Sequence, residues 1–129
     1  MSTLYIAHRG FRVGVKENMM EAFELSIKMN VDYIELDVHD TDKGFLVVMH
    51  DAPVPRTATV PLLSTVLTAC NGRVKFMLDL KGRGTGSRVA SLIAAVCALL
   101  ILFPLTFHCS LSSFTASESF RSPDLSQEG

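Results

Sequence analysis

Short apolar runs of strand type alternate with helical segments along this chain, and this alternation limits the fold more than any other feature. The strand-like runs cover residues 4–7, 31–39, 45–49 and 74–81, with a fifth candidate at 105–111. Apolar residues at helical spacing predict helices at 19–29 and 61–69. Strands that alternate with helices are typical of right-handed βαβ units, so the sequence predicts an α/β domain with a parallel sheet.

Acidic residues occupy one face of two of these strands. Side chains alternate along a strand, so residues 31–39 divide into an apolar face (Ile34, Leu36 and Val38) and a polar face (Glu35, Asp37 and His39). Asp79 lies on the polar face of the strand at 74–81, together with Lys81. Two neighbouring carboxylates repel each other, which raises a pKa or requires a cation. Oxygen ligands favour Mg²⁺ or Ca²⁺ over zinc.

An ordinary interpretation of these acids stays open. Glu35 and Asp37 are then solvent-facing residues of an edge strand, and Asp79 forms a surface pair with Lys81. The charge sum favours the cation. Glu35, Asp37 and Asp79 total −3, a divalent ion reduces this to −1, and Arg9 with Lys81 brings it to +1. Such a site accepts an anionic phosphodiester, and arginine offers its oxygens a fork of donors.

Two histidines follow strand-like runs at their carboxyl ends. His8 comes directly after residues 4–7, and His50 directly after residues 45–49. Imidazole titrates near neutral pH, so a pair of histidines can activate an attacking oxygen and protonate a departing alkoxide. A lone histidine at a strand end is more often structural, which is the alternative interpretation for each of them.

Composition bounds the function classes. The 129 residues suffice for one domain with a modest core, and the net charge of −1 argues against a nucleic-acid-binding protein. Three cysteines, Cys70, Cys97 and Cys109, show no metal-binding spacing and no disulfide framework, so a cytoplasmic location is expected. The first residues lack the pattern of a signal peptide. Asn18, with Glu21 three residues later, predicts the N-cap of the first helix.

Several motifs resemble those of the glycerophosphodiester phosphodiesterase family. The opening H-R-G, E-N-T and A-F elements of that family are similar to His8-Arg9-Gly10, Glu17-Asn18-Met19 and Ala22-Phe23. Its second strand resembles residues 32–38, its V-V-x-H-D element resembles residues 47–51, and its R-T pair resembles Arg56-Thr57. Its E-x-K strand resembles Asp79-Leu80-Lys81, with Asp in place of Glu, and its later S-S-F element resembles residues 112–114.

The resemblance implies a TIM barrel with a divalent metal, Mg²⁺ or Ca²⁺, at its C-terminal mouth. It implies an enzyme of lipid metabolism that hydrolyses glycerophosphodiesters to glycerol 3-phosphate and an alcohol. The implied site residues are Glu35, Asp37 and Asp79 for the metal, His8 and His50 for acid–base catalysis, and Arg9, Glu17, Asn18 and Lys81 for phosphate and substrate.

The chain also departs from the family pattern. A complete barrel takes roughly 250 residues, so a truncated barrel of about four to five of the eight strands is expected. The expected organisation is a truncated domain at residues 1–114 and a Ser-rich disordered tail at 115–129. Residues 89–107 are uncharged, which fits either a barrel helix followed by a strand or a membrane-associated segment.

Two other functions stay open. One is a non-catalytic truncated barrel that acts as a partner- or membrane-binding module. Because half a barrel exposes strand edges, an oligomer that completes the barrel is also a possible partner arrangement. The other is a related phosphodiesterase of phospholipase D type.

Overall fold

The computed structural model describes residues 3–51, 59–102 and 114–119. Five strands and three helices lie in these ranges, in the order β1 (Ile6–His8), α1 (Met20–Lys28), β2 (Tyr33–Asp40), β3 (Leu46–Val48), α2 (Leu63–Cys70), β4 (Lys75–Lys81), α3 (Thr85–Leu102) and β5 (Phe114–Ser119). The predicted α/β class is confirmed, and most of the predicted elements lie within a few residues of their observed bounds.

Four strands form a parallel sheet in the order β1-β2-β4-β5. The register places His8 beside Glu35, and Asp37 beside Asp79. Because these strands are parallel, their carboxyl ends meet at one edge of the sheet. His8, Glu35, Asp37 and Asp79 therefore lie close together in the sheet, whereas His50 follows β3, which is not one of these parallel strands.

Strand β3 departs from the expected parallel arrangement, because it pairs antiparallel with β2. A tight turn joins the two strands: the Thr41 amide donates to the Phe45 carbonyl at 2.9 Å, and Gly44, at φ +85°, donates to the Thr41 carbonyl at 2.8 Å. A parallel pair needs a crossover of a dozen or more residues. The connection between β2 and β3 is too short for that, so a hairpin forms instead.

The apolar faces of β2 and β4 pack against the helices, as their alternation predicts. The core that they form includes Ile34, Leu36, Val38, Phe76, Leu78 and Leu80 from the strands, with Phe23, Val66, Leu67, Val89 and Ile93 from the helices. The opposite face of the same strands carries the acids. The sheet therefore separates the apolar core from the charged site.

The first helix begins without the predicted cap. Its N-cap is Met19, which makes no side-chain capping bond. Asn18 is buried in a left-handed conformation, at φ +56°, and its amide donates to Asp37 Oδ2 at 3.0 Å. A charged acceptor makes the stronger hydrogen bond, so the Asn18 side chain turns toward the carboxylate rather than toward the helix end.

The apolar segment at 89–107 forms part of α3 as far as Leu102, and residues 103–107 lie outside the described ranges. Val89, Ile93 and Cys97 are buried at four-residue spacing, while Ala94, Ala98 and Leu99 are exposed. Within residues 3–51, 59–102 and 114–119, no helix has the length and apolarity that crossing a membrane requires.

The structure differs from two further expectations, which concern the C-terminal tail and the cysteines. The fifth strand lies at Phe114–Ser119 and pairs with β4, so residues 115–119 are strand, although the sequence analysis places them in a tail. The expected strand at 105–111 and the remainder of the tail lie outside the described residues. Cys70 is free and buried, whereas Cys97 is disulfide-bonded, although the number and spacing of the cysteines suggested no disulfide framework.

Candidate metal and phosphate site

Three carboxylates from β2 and β4 converge on the polar face of the sheet. Glu35, Asp37 and Asp79 each offer an oxygen within 4.8 Å of the oxygens of the other two. Asp37 and Asp79 are direct neighbours in the parallel register, and Glu35 lies two residues before Asp37 on the same face. The solvent-facing interpretation of these acids does not fit Asp37, whose exposed fraction is 1%.

Asp37 is surrounded by groups that compensate its buried charge. Its Oδ1 lies 3.2 Å from Lys81 Nζ, and its Oδ2 lies 3.2 Å from Arg9 Nε and 3.0 Å from the Asn18 amide nitrogen. The buried Arg9 Nε is close to the carboxylate but is not aligned for a hydrogen bond. Burying a charge is costly unless it is paired and hydrogen-bonded, and this carboxylate has both kinds of partner.

Lys81 connects two of the acids, since its ammonium contacts Asp37 and also hydrogen-bonds Asp79. Burial acts to lower the pKa of Lys81, but the bonds to Asp79 and Asp37 outweigh it, so the pKa is raised. The ammonium therefore stays charged and acts as a counter-ion for the cluster.

The charge of Glu35 is only partly compensated by its surroundings. Burial and the neighbouring Asp37 raise its pKa, against the opposing effect of the Arg9 backbone amide, which donates to its Oε2 at 3.2 Å. His8, whose Nε2 lies 3.7 Å from Oε2, also acts to lower this pKa, and the charge of Asp79 acts to raise it. Neighbouring carboxylates disfavour the ionised form of Glu35, and a bound cation would stabilise that form.

Arg9 is held over the site by a strained turn. It adopts φ +58°, which is uncommon for a residue with a side chain, and its amide donates to the Glu35 carbonyl at 2.9 Å. Gly10 follows at φ +82°, where an added Cβ would lie 2.7 Å from the Ala22 Cβ. The loop thus rests directly on α1, a contact that requires glycine.

Glu17 lies between two guanidinium groups. Its carboxylate oxygens accept from Arg9 at 3.0 Å and from Arg12 at 2.9 Å. Burial acts to raise the pKa of Glu17, but the hydrogen bonds from Arg9 and Arg12 outweigh it and lower the pKa. Glu17 therefore stays ionised and fixes the direction of Arg9.

The two selected histidines lie in different surroundings. The His8 side chain is 60% exposed beside Glu35. His50 follows β3, and its Nδ1 lies 2.7 Å from Asp51 Oδ1. His39, which the sequence analysis assigned to the polar face without a role, places its Nε2 2.9 Å from the His50 carbonyl oxygen. The position of His39 on the same face as Glu35 and Asp37 was the only available sequence signal.

The structure thus brings together most of the selected residues: His8, Arg9, Glu17, Asn18, Glu35, Asp37, Asp79 and Lys81 form one connected set of polar contacts. His50 joins this region through its main chain. Three carboxylate ligands suit a hard divalent cation such as Mg²⁺ or Ca²⁺. The residues present therefore fit a divalent metal, with two basic side chains beside it.

Comparison with known proteins gives one consistent family. A sequence model of the glycerophosphoryl diester phosphodiesterase family matches residues 8–92. A glycerophosphodiester phosphodiesterase of Caldanaerobacter subterraneus is 51% identical over 57 residues, which cover 44% of this chain and 24% of that protein. A glycerophosphodiester phosphodiesterase of Bacillus altitudinis is 29% identical over 142 aligned positions, which cover 87% of this chain and 58% of that protein.

Solved structures give the same answer for the fold. A glycerophosphodiester phosphodiesterase from Agrobacterium tumefaciens superposes with a TM-score of 0.72 at 22% identity, over 91% of this chain and 58% of that one. A phosphodiesterase from Oleispira antarctica, solved in complex with the product sn-glycerol-3-phosphate, gives a TM-score of 0.62 at 20% identity, over 90% and 57%. The chain therefore has the fold of part of these proteins and spans less than two thirds of their length.

Proposed function

Because this chain belongs to the glycerophosphoryl diester phosphodiesterase family, we propose that it hydrolyses glycerophosphodiesters to glycerol 3-phosphate and an alcohol with a divalent metal. The observation that carries the proposal is the convergence of Glu35, Asp37 and Asp79 on one point, with Arg9 and Lys81 beside them. Acids alone would repel a phosphodiester. Acids that hold a cation, next to two basic side chains, attract one.

Glu35, Asp37 and Asp79 would hold the metal, Mg²⁺ or Ca²⁺. When bound, such an ion supplies Lewis-acid stabilisation to a phosphoryl oxygen. The fit rests on the donor set, because three carboxylates within 4.8 Å of one another match the ligands that these ions prefer. The raised pKa of Glu35 also supports the proposal, since a nearby cation would relieve that unfavourable charge.

Arg9 and Lys81 would bind the phosphate oxygens. Both now neutralise Asp37, and both are less than one quarter exposed, with side-chain exposures of 19% and 22%. Glu17 keeps the Arg9 guanidinium in place through a hydrogen bond of 3.0 Å, and Asn18 does the same for Asp37. Glu17 and Asn18 therefore line the site and position the residues that contact the substrate.

His50 and His8 would exchange protons with the substrate. Asp51 accepts from Nδ1–H of His50, which leaves the lone pair of a neutral ring at Nε2. In the proposed route Nε2 takes the proton of the glycerol 2-hydroxyl, and that oxygen bonds to phosphorus. The bond from phosphorus to the alcohol oxygen breaks, and His8 protonates this oxygen. The oxygen of a water then bonds to phosphorus while His8 takes a proton from it. The bond from phosphorus to the 2-oxygen breaks, and His50 returns its proton to that oxygen, which gives glycerol 3-phosphate.

An assay with glycerophosphocholine tests the activity. We expect hydrolysis with Mg²⁺ or Ca²⁺, loss of hydrolysis with a chelator, and a fall of about 10²–10⁴-fold in His8→Ala or His50→Ala. Arg73→Met is a matched control, because Arg73 pairs with Glu24 away from the site. Hydrolysis that ignores both the chelator and the His8→Ala change would remove the proposed mechanism.

A calorimetric titration tests the metal site without catalysis. Saturable binding of Ca²⁺ or Mg²⁺ is expected for the chain, and binding is expected to disappear in Asp37→Ala, with Arg73→Met again as control. Equal binding by Asp37→Ala and the unchanged chain would exclude Asp37 as a ligand and with it the proposed three-carboxylate site.

Binding of a partner chain is a second candidate function, favoured by exposed apolar side chains on the sheet face that also carries the acids. Ile6 is 48% exposed and Met77 is 38% exposed on the face that a closed barrel would cover. We propose that a second copy covers this face in an oligomer, which light scattering at micromolar concentration would detect; a monomer throughout would reject it. Membrane association through residues 89–107 stays a prediction, and flotation of the chain with liposomes would test it.

A further inference from the structure

His39 is the polar residue of β2 that the proposed chemistry does not use. It lies two residues after Asp37 on the same face, and its register partner in β4 is Lys81. The ring is partly buried, and its Nε2 lies 2.9 Å from the His50 carbonyl oxygen. A carbonyl oxygen can only accept a hydrogen bond, so Nε2 carries the proton and donates it.

This bond lies where the backbone ladder between β2 and β3 ends. The last paired residues are Val38 and Val48, and the Met49 amide still donates to the Asp37 carbonyl at 3.0 Å. Beyond Met49, among the described residues, the His39 side chain provides the hydrogen bond that connects β2 to the backbone of His50. The bond from the His39 side chain thus extends the contact between β2 and the segment after β3 by one residue.

We propose that His39 is a positioning residue for His50, an inference that rests on the proposed function. By fixing the His50 peptide group against β2, His39 sets the direction in which the His50 imidazole leaves the main chain. Asp51 orients the ring itself through Nδ1. Two separate bonds thus define the place and the orientation of the proposed base, and a misplacement of about 1 Å can cost about a hundredfold in rate.

A role of His39 as a metal ligand fits less well. The group of oxygens that could hold an ion comprises Glu35, Asp37 and Asp79 in the described part of the chain. The Nε2 atom of His39 is occupied by the His50 carbonyl. The role in positioning therefore predicts unchanged metal affinity when His39 is replaced.

Two polar variants of different reach provide the test. The amide of Gln can place its nitrogen near the position of the histidine Nε2, whereas the amide of Asn is one bond too short. We expect kcat for glycerophosphocholine to fall about tenfold to a hundredfold in His39→Asn. It should recover to within about threefold in His39→Gln. KM and the calorimetric Ca²⁺ affinity should stay unchanged in both variants.

A spectroscopic readout makes the test independent of activity. The carbonyl carbon of His50 reports its hydrogen bond through its ¹³C chemical shift, which should move in His39→Asn and stay in place in His39→Gln. If the unchanged chain hydrolyses nothing, the proposed function fails, but this shift still decides whether His39 holds the His50 peptide group. An unmoved shift in His39→Asn, or equal losses of kcat in both variants, would overturn the proposal.

Discussion

The two faces of strand β2 differ in how they are stabilised. Ile34, Leu36 and Val38 are fully buried on one face, where many non-directional contacts hold them. Glu35, Asp37 and His39 lie on the other face, where each depends on a few specific partners. The first face stabilises the fold and tolerates changes that preserve volume. The second face is defined by individual atoms.

Glu35 is the member of the charged face that opposes folding when it is ionised and no cation is bound. The pKa of Glu35 is raised by burial and by Asp37, which means that its ionised form is disfavoured in the folded chain. Arg9 pairs its guanidinium with Asp37, and Lys81 pairs its ammonium with Asp37 and Asp79. Proposed binding sites commonly carry such unfavourable charge, because the ligand later relieves it. Ionised Glu35 therefore contributes to stability with the opposite sign from the buried apolar residues of the same strand.

The largest expected effect comes from the apolar face. Leu36→Ala should lower the free energy of unfolding by about 2–5 kcal/mol, because it removes buried contacts and leaves a cavity. Denaturant titration measures this loss. The matched control is Met77→Ala on the opposite face, which is partly exposed and should cost less than about 1 kcal/mol. Equal losses for the two variants would contradict the assignment of the faces.

A smaller effect is expected from Lys81, and here the substitution should strengthen a property, the affinity for Ca²⁺. In Lys81→Met the cation that competes for Asp37 and Asp79 is gone, so Ca²⁺ should bind about tenfold more tightly, by a Coulomb term of about 1–2 kcal/mol after screening. The metal-free chain should unfold at a lower temperature. Calorimetry and thermal unfolding measure the two quantities. Weaker Ca²⁺ binding would mean that Lys81 supports the ion rather than replaces it.

The raised pKa of Glu35 gives a dependence on pH. As pH rises above 4.5, the ordinary pKa of a glutamate, Glu35 loses its proton in the unfolded chain before it does so in the folded chain. The metal-free fold therefore loses stability as pH rises toward the pKa of Glu35 in the folded chain. Metal affinity should rise over the same window, because the ligand must be ionised. Titrations with Ca²⁺ between about pH 4 and 7 test this, and Glu35→Gln should remove much of the slope. A slope that is unchanged in Glu35→Gln would assign it to another group.

The period-two pattern was sufficient to predict both faces of β2 and β4. It placed Leu36 and Leu78 on the apolar faces, and Glu35, Asp37 and Asp79 on the polar faces of their strands, because alternation follows directly from the order of residues. That the three acids meet depended on the strand order, which the structure provides. The motifs then identified the family without any structure. Local pattern and overall fold agree in these strands, which is the condition under which sequence reasoning succeeds.

Other features depend on contacts between segments, which the residue pattern of a single segment does not show. Asn18 has a cap-forming side chain, but the buried Asp37 is the stronger acceptor. The segment at 45–49 resembles any other strand, and only the length of the turn before it shows that it must run antiparallel. His39 gave no signal of its bond to His50, since that bond depends on where a chain segment eleven residues later comes to lie.

The smallest expected effect comes from the other end of the charged face. Lys75 is exposed at the start of β4, and its ammonium lies 5.4 Å from the centre of the Tyr33 ring. Such an exposed cation–π contact contributes about 0.5–1 kcal/mol, so Lys75→Met should change stability by no more than that. Because Lys75 and Lys81 share one strand face but not one site, Ca²⁺ affinity should respond to Lys81→Met and stay constant in Lys75→Met. If both variants tighten Ca²⁺ binding alike, the effect belongs to the overall charge of the sheet, and the local role of Lys81 as a counter-ion has to be abandoned.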